Sequence, residues 1–305
     1  MRSPLPTLLA LALLLEAGCK DGLSLASDPS APELDSGPDQ HSDAATRDAG
    51  RDESPSDASA GTDATTAIWQ PTPGTSWQWQ LTGTLDSRPD VSMFDIDLFS
   101  TTQHDIASLH ALGRRVVCYF DTAYEPERPD EARLRPYRGK TIDGWPDQNW
   151  LDIRAPEVVE VMKERIALAA EKQCDGVEAD DVDVASNDSG FPITREEQRL
   201  FIRTLAREAH ARGLAYGLKN ALEDVTTLLP EVDFAVNEQC FEFGECDLLR
   251  PFINAGKAVF HVEYPASERQ SLETRARGVC PAANALNFDS LIKYLDLAPA
   301  RFACR

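Results

Sequence analysis

The chain has 305 residues, and its 51 acidic side chains against 30 lysines and arginines give a formal net charge of −21 at pH 7. That length allows one large domain or two ordinary ones. The acidic balance argues against a nucleic-acid partner and favours a neutral or cationic one.

Residues 1–18 have the pattern of a bacterial export signal, with Arg2 ahead of an apolar run over 8–15. The run is too short to span a bilayer as a permanent helix. Small residues precede Cys19, so we expect lipidation of this cysteine and anchoring in the outer membrane. Glu16 stands where lipoprotein signals usually carry an aliphatic residue, which keeps plain secretion open as the alternative.

Residues 19–66 are rich in Asp, Ser, Ala and Pro and contain no aromatic residue. Such a segment cannot bury enough apolar surface to offset the entropy lost on ordering, so we predict a disordered tether. The folded part is then expected to be a single domain over 67–305.

Eight apolar or alternating segments predict β-strands. They lie at 77–81, 94–98, 116–120, 175–180, 214–218, 234–238, 258–264 and 285–288. Helical patterns lie between most of them, at 106–112, 156–169, 194–213, 225–229, 248–255 and 272–277, whereas 121–150 is typical of irregular structure. Alternating strands and helices imply parallel pairing, and eight units over about 240 residues fit a (β/α)₈ TIM barrel. An open doubly wound sheet is the alternative, although no Gly-rich loop follows a strand, which argues against dinucleotide binding.

The segment 175–183 carries five carboxylates in nine residues. On a strand, Val177 and Ala179 point to one side, and Glu178 and Asp180 point to the other. Buried charges need partners, so acids of one parity at the end of an apolar strand predict a catalytic rim rather than a core. The alternatives are a solvated turn and a structural calcium loop.

In a TIM barrel the active site lies at the C-terminal ends of the strands. The side chains predicted at that mouth or beside it are Asp95, Asp97, Tyr119, Asp121, Glu125, Glu178, Asp180, Asp181, Lys219, Asn237, Glu238, Glu263 and Tyr264. A mouth rich in carboxylates suits glycoside hydrolysis, which needs an acid to protonate the leaving oxygen and a carboxylate as nucleophile or base. Aromatic residues supply stacking faces for sugar rings. For Asp95, Asp97 and Glu263 the alternative is a structural ion pair with a buried cation.

Setting Cys19 aside, six cysteines remain, an even number that predicts disulfides in an exported protein. Cys240–Cys246 closes a short loop and is the first pair expected, and Cys118–Cys174 and Cys280–Cys304 follow by elimination. Neither the cysteine spacings nor the five histidines show a metal-ligand pattern, so we predict no metal and no cofactor. No serine lies in a nucleophile elbow.

Seven segments, taken in order, resemble glycoside hydrolase family 114, the endo-α-1,4-polygalactosaminidases. They are 77–81, 95–97, 118–120, 150–154, 174–178, 217–220 and 237–240. The resemblance covers nearly everything from Trp69 to Tyr264. It implies a TIM barrel that cleaves α-1,4-linked galactosamine-containing polysaccharide, of the kind found in biofilm matrix. We expect a monomer that contacts the membrane only through the lipid on Cys19.

By position, the resemblance places the two catalytic carboxylates at Asp180 and Glu238. By analogy with other α-glycosidase barrels, Asp180 is expected to be the nucleophile and Glu238 the general acid/base of a retaining mechanism. A separation of about 5–5.5 Å between the carboxyls would support retention, and about 6.5 Å or more would exclude it. The other acids and tyrosines of the mouth, with Lys219 and Asn237, are expected to bind substrate.

Two departures from the family pattern lie at the rim. Residues 178–181 read Glu-Ala-Asp-Asp where the family usually has Glu-Pro-Asp-Asn, and 121–124 read Asp-Thr-Ala-Tyr in place of Ser-Ala-Gly-Ser. A glycosidase of different sugar specificity is therefore one alternative. Another is a surface carbohydrate-binding protein on an inactive barrel, against which the presence of both Asp180 and Glu238 argues. Deacetylated galactosamine is cationic, so an acidic cleft is expected to attract it.

Overall fold

The computed structural model of the protein describes residues 67–267 and 269–305. The predicted export signal over 1–18, the lipidation of Cys19 and the tether over 19–66 lie outside the described residues. Among the residues that are described, no helix is long and apolar enough to cross a membrane.

The fold is a TIM barrel, as predicted. Its described strands, in chain order, are β1 (Trp77–Gln80), β2 (Met93–Asp97), β3 (Arg115–Asp121), β4 (Arg138–Ile142), β5 (Trp145–Leu151), β6 (Gly176–Asp180), β7 (Ala215–Lys219), β8 (Phe234–Glu238), β9 (Val259–Glu263), β10 (Asp289–Lys293) and β11 (Arg301–Ala303). Of these, β1 to β3 and β6 to β10 pair in parallel with their neighbours and in chain order. The short β4 and β5 form a separate antiparallel hairpin.

Helices connect most of the parallel strands. They are α1 (Gln103–Ala111), α2 (Glu131–Leu134), α3 (Pro156–Glu171), α4 (Arg195–Ala211), α5 (Val225–Leu228), α6 (Cys240–Phe243), α7 (Arg250–Asn254) and α8 (Leu272–Ala285). Two predicted starts are confirmed, because Pro156 is the first residue of α3, and Thr194 forms a capping box with Glu197 at α4. These local signals determine where the chain leaves the barrel sheet and turns back over it.

The barrel strands are apolar on both faces, as parallel strands are when helices cover them. Alternate side chains point inward, among them Trp77, Trp79, Val117 and Phe260, and form the core of the barrel. The residues between them, such as Phe120, pack outward against the helices. Apolar side chains thus fill the lower part of the interior, and charged inward-facing residues are concentrated at the C-terminal ends of the strands.

The C-terminal segment closes the barrel between its first and last parallel strands. The strand β11 pairs antiparallel with β10, and the Arg301 guanidinium donates to the Trp77 carbonyl in β1 at 2.7 Å. The Trp77 indole donates to the Asp289 carbonyl in β10 at 2.8 Å. The sequence pattern does not predict β11, because a strand of three residues is too short for an alternation signal.

Two stretches differ from the prediction. The segment 285–288 is wrong as the last strand, since α8 extends to Ala285 and the last parallel strand is β10. The apolar stripe of α8 continues past residue 277, where the pattern places the end of the helix. The buried members of the stripe are Leu272, Ala276, Val279 and Ala283. The stretch 121–150, predicted as irregular, contains α2 and the β4–β5 hairpin.

All three predicted disulfides are confirmed. Cys118–Cys174 joins β3 to the turn before β6, and Cys280–Cys304 joins α8 to the residue after β11. Cys240–Cys246 closes the loop that follows β8. Each bridge therefore holds a segment that borders a barrel strand, and each restricts the unfolded chain.

A lysine of the last parallel strand is buried with a carbonyl as its hydrogen-bond partner. Lys293 in β10 is inaccessible to solvent, and its ammonium donates to the Ala298 carbonyl at 2.6 Å. Burial lowers the pKa of Lys293 from 10.5 to about 7. Between about pH 7 and pH 10.5, Lys293 is therefore protonated in the unfolded state and neutral in the folded state. The loss of unfolding free energy caused by burying Lys293 is largest below about pH 7, and it decreases as the pH rises towards 10.5.

We expect Lys293→Met to stabilise the protein, and to do so more at pH 6 than at pH 9. The gain in unfolding free energy should be about 2–3 kcal/mol smaller at the higher pH, since one pKa unit corresponds to about 1.4 kcal/mol. Urea unfolding of both proteins at the two pH values measures this difference. Lys163→Met on α3 serves as the control, and a gain that does not change with pH would contradict the role given to Lys293.

Candidate active site

Three neighbouring strands each end in a charged residue that points into the mouth of the barrel. Asp180 is the last residue of β6, Lys219 of β7 and Glu238 of β8. The interior below them is tightly packed, because a Cβ on Gly217 would lie 2.3 Å from the Phe234 ring. Glycine in β7 therefore lets the three strands approach closely enough for the charged side chains to meet.

The backbone turns sharply after each of these strand ends. The next residues, Asp181, Asn220 and Gln239, have φ angles of 58°, 46° and 61°, in the left-handed region that residues other than glycine rarely adopt. Such conformations cost of order 1–3 kcal/mol each and cluster at functional sites. Here they lead the chain away from the mouth directly after the residue that faces it.

The Lys219 ammonium is the centre of the site. It lies 2.7 Å from Asp180 Oδ2, 3.2 Å from Glu238 Oε2 and 3.1 Å from Glu178 Oε1, and the lysine side chain is 1% exposed. It also lies 4.7 Å from the centre of the Trp79 ring, within cation–π range. Burial disfavours its charge, but the surrounding carboxylates, Asp180 foremost, raise the pKa of Lys219 well above its ordinary value. A permanent positive charge therefore joins the ends of β6 and β8.

Asp180 and Glu238 are held by further donors on their open sides. The Tyr119 hydroxyl donates to Asp180 Oδ2 at 3.1 Å, and the Asp181 backbone N–H donates to Asp180 Oδ1 at 2.7 Å. The Tyr264 hydroxyl donates to Glu238 Oε1. Burial and the adjacent carboxylates raise the pKa of both tyrosines well above the usual range, so both stay protonated and donate. The two carboxylates remain partly exposed, at 19% for Asp180 and 24% for Glu238.

A second pair of acids lies below this layer. Asp95 in β2 and Glu178 in β6 are inaccessible to solvent. Burial, reinforced by the charge of Glu178, raises the pKa of Asp95 well above its ordinary value. A protonated Asp95 can donate to Glu178 Oε2, which otherwise has no hydrogen-bond partner among the described residues. Glu178 then accepts a hydrogen bond from Asp95 on one oxygen and a hydrogen bond from Lys219 on the other.

Two partly exposed carboxylates on one buried cation can perform acetal cleavage, one by protonating the leaving oxygen and the other by attacking the anomeric carbon. The sequence comparison points the same way. The family model of glycoside hydrolase family GH114 matches residues 58–305. This chain belongs to family GH114. It is therefore a glycoside hydrolase, as predicted.

Solved structures show the same fold. The crystal structure of Aspergillus fumigatus Ega3 in complex with galactosamine is 37% identical in sequence, over 79% of this chain and 100% of that chain, with a TM-score of 0.74. The glycoside hydrolase domain of PelA from Pseudomonas aeruginosa is 12% identical, over 75% of this chain and 97% of its own, with a TM-score of 0.57. At that identity PelA supports the fold alone. A comparison with curated proteins gave no match.

In the GH114 domain, three of the predicted substrate-binding acids surround an arginine. The Arg128 guanidinium lies 3.1 Å from Asp97 Oδ2, 3.0 Å from Asp121 Oδ2 and 2.6 Å from Glu125 Oε2. Arg165 adds a bond to the Asp121 carbonyl at 2.6 Å. This favours the structural ion pair weighed for Asp97, and contact of these three acids with substrate stays a prediction.

Two other predicted residues, Glu263 and Asn237, face away from the barrel interior. Glu263 and Tyr264 are adjacent, but Tyr264 points into the mouth, whereas Glu263 packs outward against Arg275 and lies 3.3 Å from His261. Asn237 likewise has the outward parity in β8 and is buried. Each lies on the opposite face of its strand from the carboxylate cluster, and their contact with sugar stays a prediction.

Asn220 is a site residue that is not among the predicted ones. Its side-chain oxygen accepts the Glu238 backbone N–H at 3.1 Å and the Asn237 amide at 3.2 Å. It thereby ties the end of β8 to the turn after β7. The signal available in the sequence is an asparagine directly after an apolar strand, because asparagine tolerates the left-handed conformation found there.

One group of potential metal ligands occurs in the described part of the chain. The side chains of Cys240, Cys246 and His261 converge within 4.8 Å. The two cysteines are joined in a disulfide, so neither sulfur is a thiolate that could ligate an ion.

The calcium loop considered for Asp180, Asp181 and Asp183 is disfavoured by the electrostatics of the site. The Lys219 ammonium occupies the position next to Asp180 that a cation would need. Burial and the charge of Asp180 raise the pKa of Asp181 well above its ordinary value and that of Asp183 to about 6. A pKa of about 6 leaves Asp183 mostly ionised at neutral pH, so it is the Lys219 ammonium beside Asp180 that disfavours a calcium ion here.

Proposed function

We propose that this GH114 enzyme is an endo-acting, retaining glycoside hydrolase that cleaves α-1,4-linked galactosamine-containing polysaccharide. Asp180 is the nucleophile and Glu238 is the general acid/base. The observation that carries the proposal is the placement of these two carboxylates on one ammonium, that of Lys219.

The retaining mechanism is supported by the distance between the two groups. Asp180 Oδ2 and Glu238 Oε2 both contact the Lys219 ammonium, so these two oxygens are at most about 5.9 Å apart, the total of the two contact distances. Retaining enzymes place their carboxyls about 5–5.5 Å apart, and inverting enzymes about 6.5–9.5 Å, which leaves room for a water. An upper bound of about 5.9 Å between the two facing oxygens is closer to the retaining range than to the inverting one, and it supports the proposed retention.

The division of roles is supported by the hydrogen bonds. Asp180 is oriented by three donors, from Lys219, Tyr119 and its own following N–H, which suits a carboxylate that attacks from one fixed direction. In the first step Glu238 protonates the glycosidic oxygen, the bond to the anomeric carbon breaks, and Asp180 forms an ester with that carbon. In the second, Glu238 takes a proton from water, which displaces Asp180 and restores the α configuration.

The substrate class is supported by the similarity to Ega3, whose crystal structure contains galactosamine, and by the charge of the chain. A net charge of −21 attracts a polymer whose free amines are protonated. The same charge argues against a nucleic-acid partner. We further propose that the protein is exported, with Cys19 as its lipid anchor, and acts as a monomer.

Incubation with α-1,4-linked galactosaminogalactan tests the proposal. We expect a ladder of oligosaccharides by mass spectrometry from the first minutes, and newly formed α-anomers by NMR before mutarotation. Release of monosaccharide alone would overturn the endo mode, and initial β-anomers would overturn retention. An inert polymer in the presence of a folded enzyme would overturn the substrate class.

A further inference from the structure

A groove of about 450 Å³ lies beside the mouth, on the segment inserted between β3 and α3. Its lining residues are Glu125, Pro126, Glu127, Trp145, Pro146, Asp147 and Gln148. The size is that of a site for one or two sugar units. One wall is formed by the loop that follows β3, and the other is formed by the first half of β5.

The groove contains an exposed tryptophan. Trp145, the first residue of β5, is 50% exposed, whereas Trp77, Trp79 and Trp150 are buried. Single exposed apolar side chains such as Leu112, Leu200 and Phe243 are ordinary, but Trp145 differs from them in that it lines a groove. Its flat apolar face is available to stack on a sugar ring.

The groove is also acidic. Glu127 and Asp147 are exposed, and neither carboxylate has an ion-pair or hydrogen-bond partner among residues 67–267 and 269–305. None of the seven lining residues is basic. An aromatic face next to unpaired carboxylates is complementary to a sugar that carries an ammonium group, which combines an apolar ring face with a positive charge.

The groove is connected to the carboxylate cluster through rigid contacts. The hairpin is held to the loop after β3 by two backbone hydrogen bonds between Tyr124 and Asn149, at 2.8 and 3.1 Å. Glu125, in the groove wall, contacts Arg128, which in turn contacts Asp121. Asp121 is the register partner of Asp180 in the β3–β6 ladder. These contacts place the groove on the side of the barrel where β3 and β6 end, which is the side of Asp180.

We propose that the β4–β5 groove is an accessory subsite that binds a deacetylated galactosamine unit of the polymer, away from the bond being cleaved. Trp145 stacks on the sugar ring, and Glu127 and Asp147 bind the ammonium group. The proposal rests on the function proposed above, because it concerns a further unit of the same substrate. It predicts that recognition depends on both the length and the deacetylation of the chain.

The test uses defined α-1,4-linked galactosamine oligosaccharides, a tetramer and a dodecamer, each in deacetylated and fully N-acetylated form. We expect Trp145→Ala to lower kcat/KM on both dodecamers about tenfold and to leave both tetramers unchanged. The double variant Glu127→Gln/Asp147→Asn should lose a similar factor on the deacetylated dodecamer alone. Leu200→Ala, at an exposed apolar residue on α4, and Asp90→Asn, at an exposed carboxylate before β2, are the matched controls.

Equal losses on tetramer and dodecamer would overturn the subsite, because the effect would then lie at the cleavage point. Unchanged kinetics of both variants on every substrate would also overturn it while leaving the proposed function intact. If the unaltered enzyme cleaves none of the four substrates, the proposed function is wrong, and the proposed subsite is wrong as well.

Discussion

Replacement of Asp180 by alanine is expected to lower kcat at least about ten-thousandfold on galactosamine polymer, because it removes the carboxylate that we propose forms the glycosyl–enzyme ester. Glu238→Ala is expected to lose about 10²–10⁴-fold, the usual contribution of a general acid/base. Its loss should be smallest on a substrate with a good leaving group, which needs no protonation. Initial rates on polymer and on an aryl galactosaminide measure both effects.

Azide separates the two roles. In Asp180→Ala, azide can occupy the vacated space and attack the α-linked substrate directly, which gives a β-glycosyl azide. In Glu238→Ala, azide attacks the ester on Asp180 and gives the α-glycosyl azide. If the two products were found in the opposite variants, Glu238 would be the nucleophile and Asp180 the general acid/base. A wild-type rate in either variant would overturn the assignment of these residues as catalytic. Asp90→Ala, at the opposite end of the barrel, is the control.

Replacement of Lys219 by methionine is expected to impair both folding and catalysis. Removing one partner of a buried ion pair costs about 3–5 kcal/mol, because the remaining charges stay buried without compensation. Here three carboxylates, those of Glu178, Asp180 and Glu238, lose their common cation. We expect kcat/KM to fall at least about a hundredfold at neutral pH, because the two carboxylates proposed as catalytic lose their fixed spacing.

The pH profile distinguishes this electrostatic role from a packing role. Without the cation, proton binding to the carboxylate cluster becomes more favourable, so the acidic limb of the kcat/KM profile should move to higher pH. The double variant Lys219→Met/Glu178→Gln removes one of the uncompensated charges and should recover part of the lost unfolding free energy. An unshifted acidic limb, or a double variant less stable than Lys219→Met, would contradict the role.

The charge of the site follows from which groups keep their protons. Asp95, buried and next to Glu178, stays neutral, and the single ammonium of Lys219 faces three carboxylates. Even with the proton that the proposed first step requires on Glu238, one ammonium faces the two carboxylates of Glu178 and Asp180, so the cluster has a net negative charge at the mouth. Such a site favours the positive charge that develops on the sugar during cleavage of the glycosidic bond.

Much of this site could be predicted from local pattern alone. The inward parity of Asp180, Lys219 and Glu238 follows from the alternation of their strands, and their position at the mouth follows from the parallel order of the barrel. The three disulfides could also be paired from spacing and number. The pattern misplaces the last strand at 285–288, because it predicts that α8 ends at 277 whereas the helix continues to Ala285.

Only the tertiary structure decided what each charged side chain contacts. Arg128 and Asp97 are 31 positions apart, and Lys219 and Asp180 are 39 apart, so no local pattern relates them. Glu263 and Tyr264 are adjacent, yet only the tyrosine reaches the cluster. The stretch 121–150, featureless as a pattern, supplies the hairpin with its exposed Trp145.

The sequence by itself determined the barrel and the carboxylates at the ends of its strands, because strand alternation and strand-end residues are local properties. The family, and the choice of Asp180 and Glu238 among those carboxylates, came from the resemblance of seven short segments. Only the packing of neighbouring elements decided that Lys219 forms ion pairs with both of those carboxylates, and that Arg128 forms ion pairs with three of the other acids. Ion pairs form between elements that only folding brings together, and the energy of each depends on burial, which the sequence does not contain.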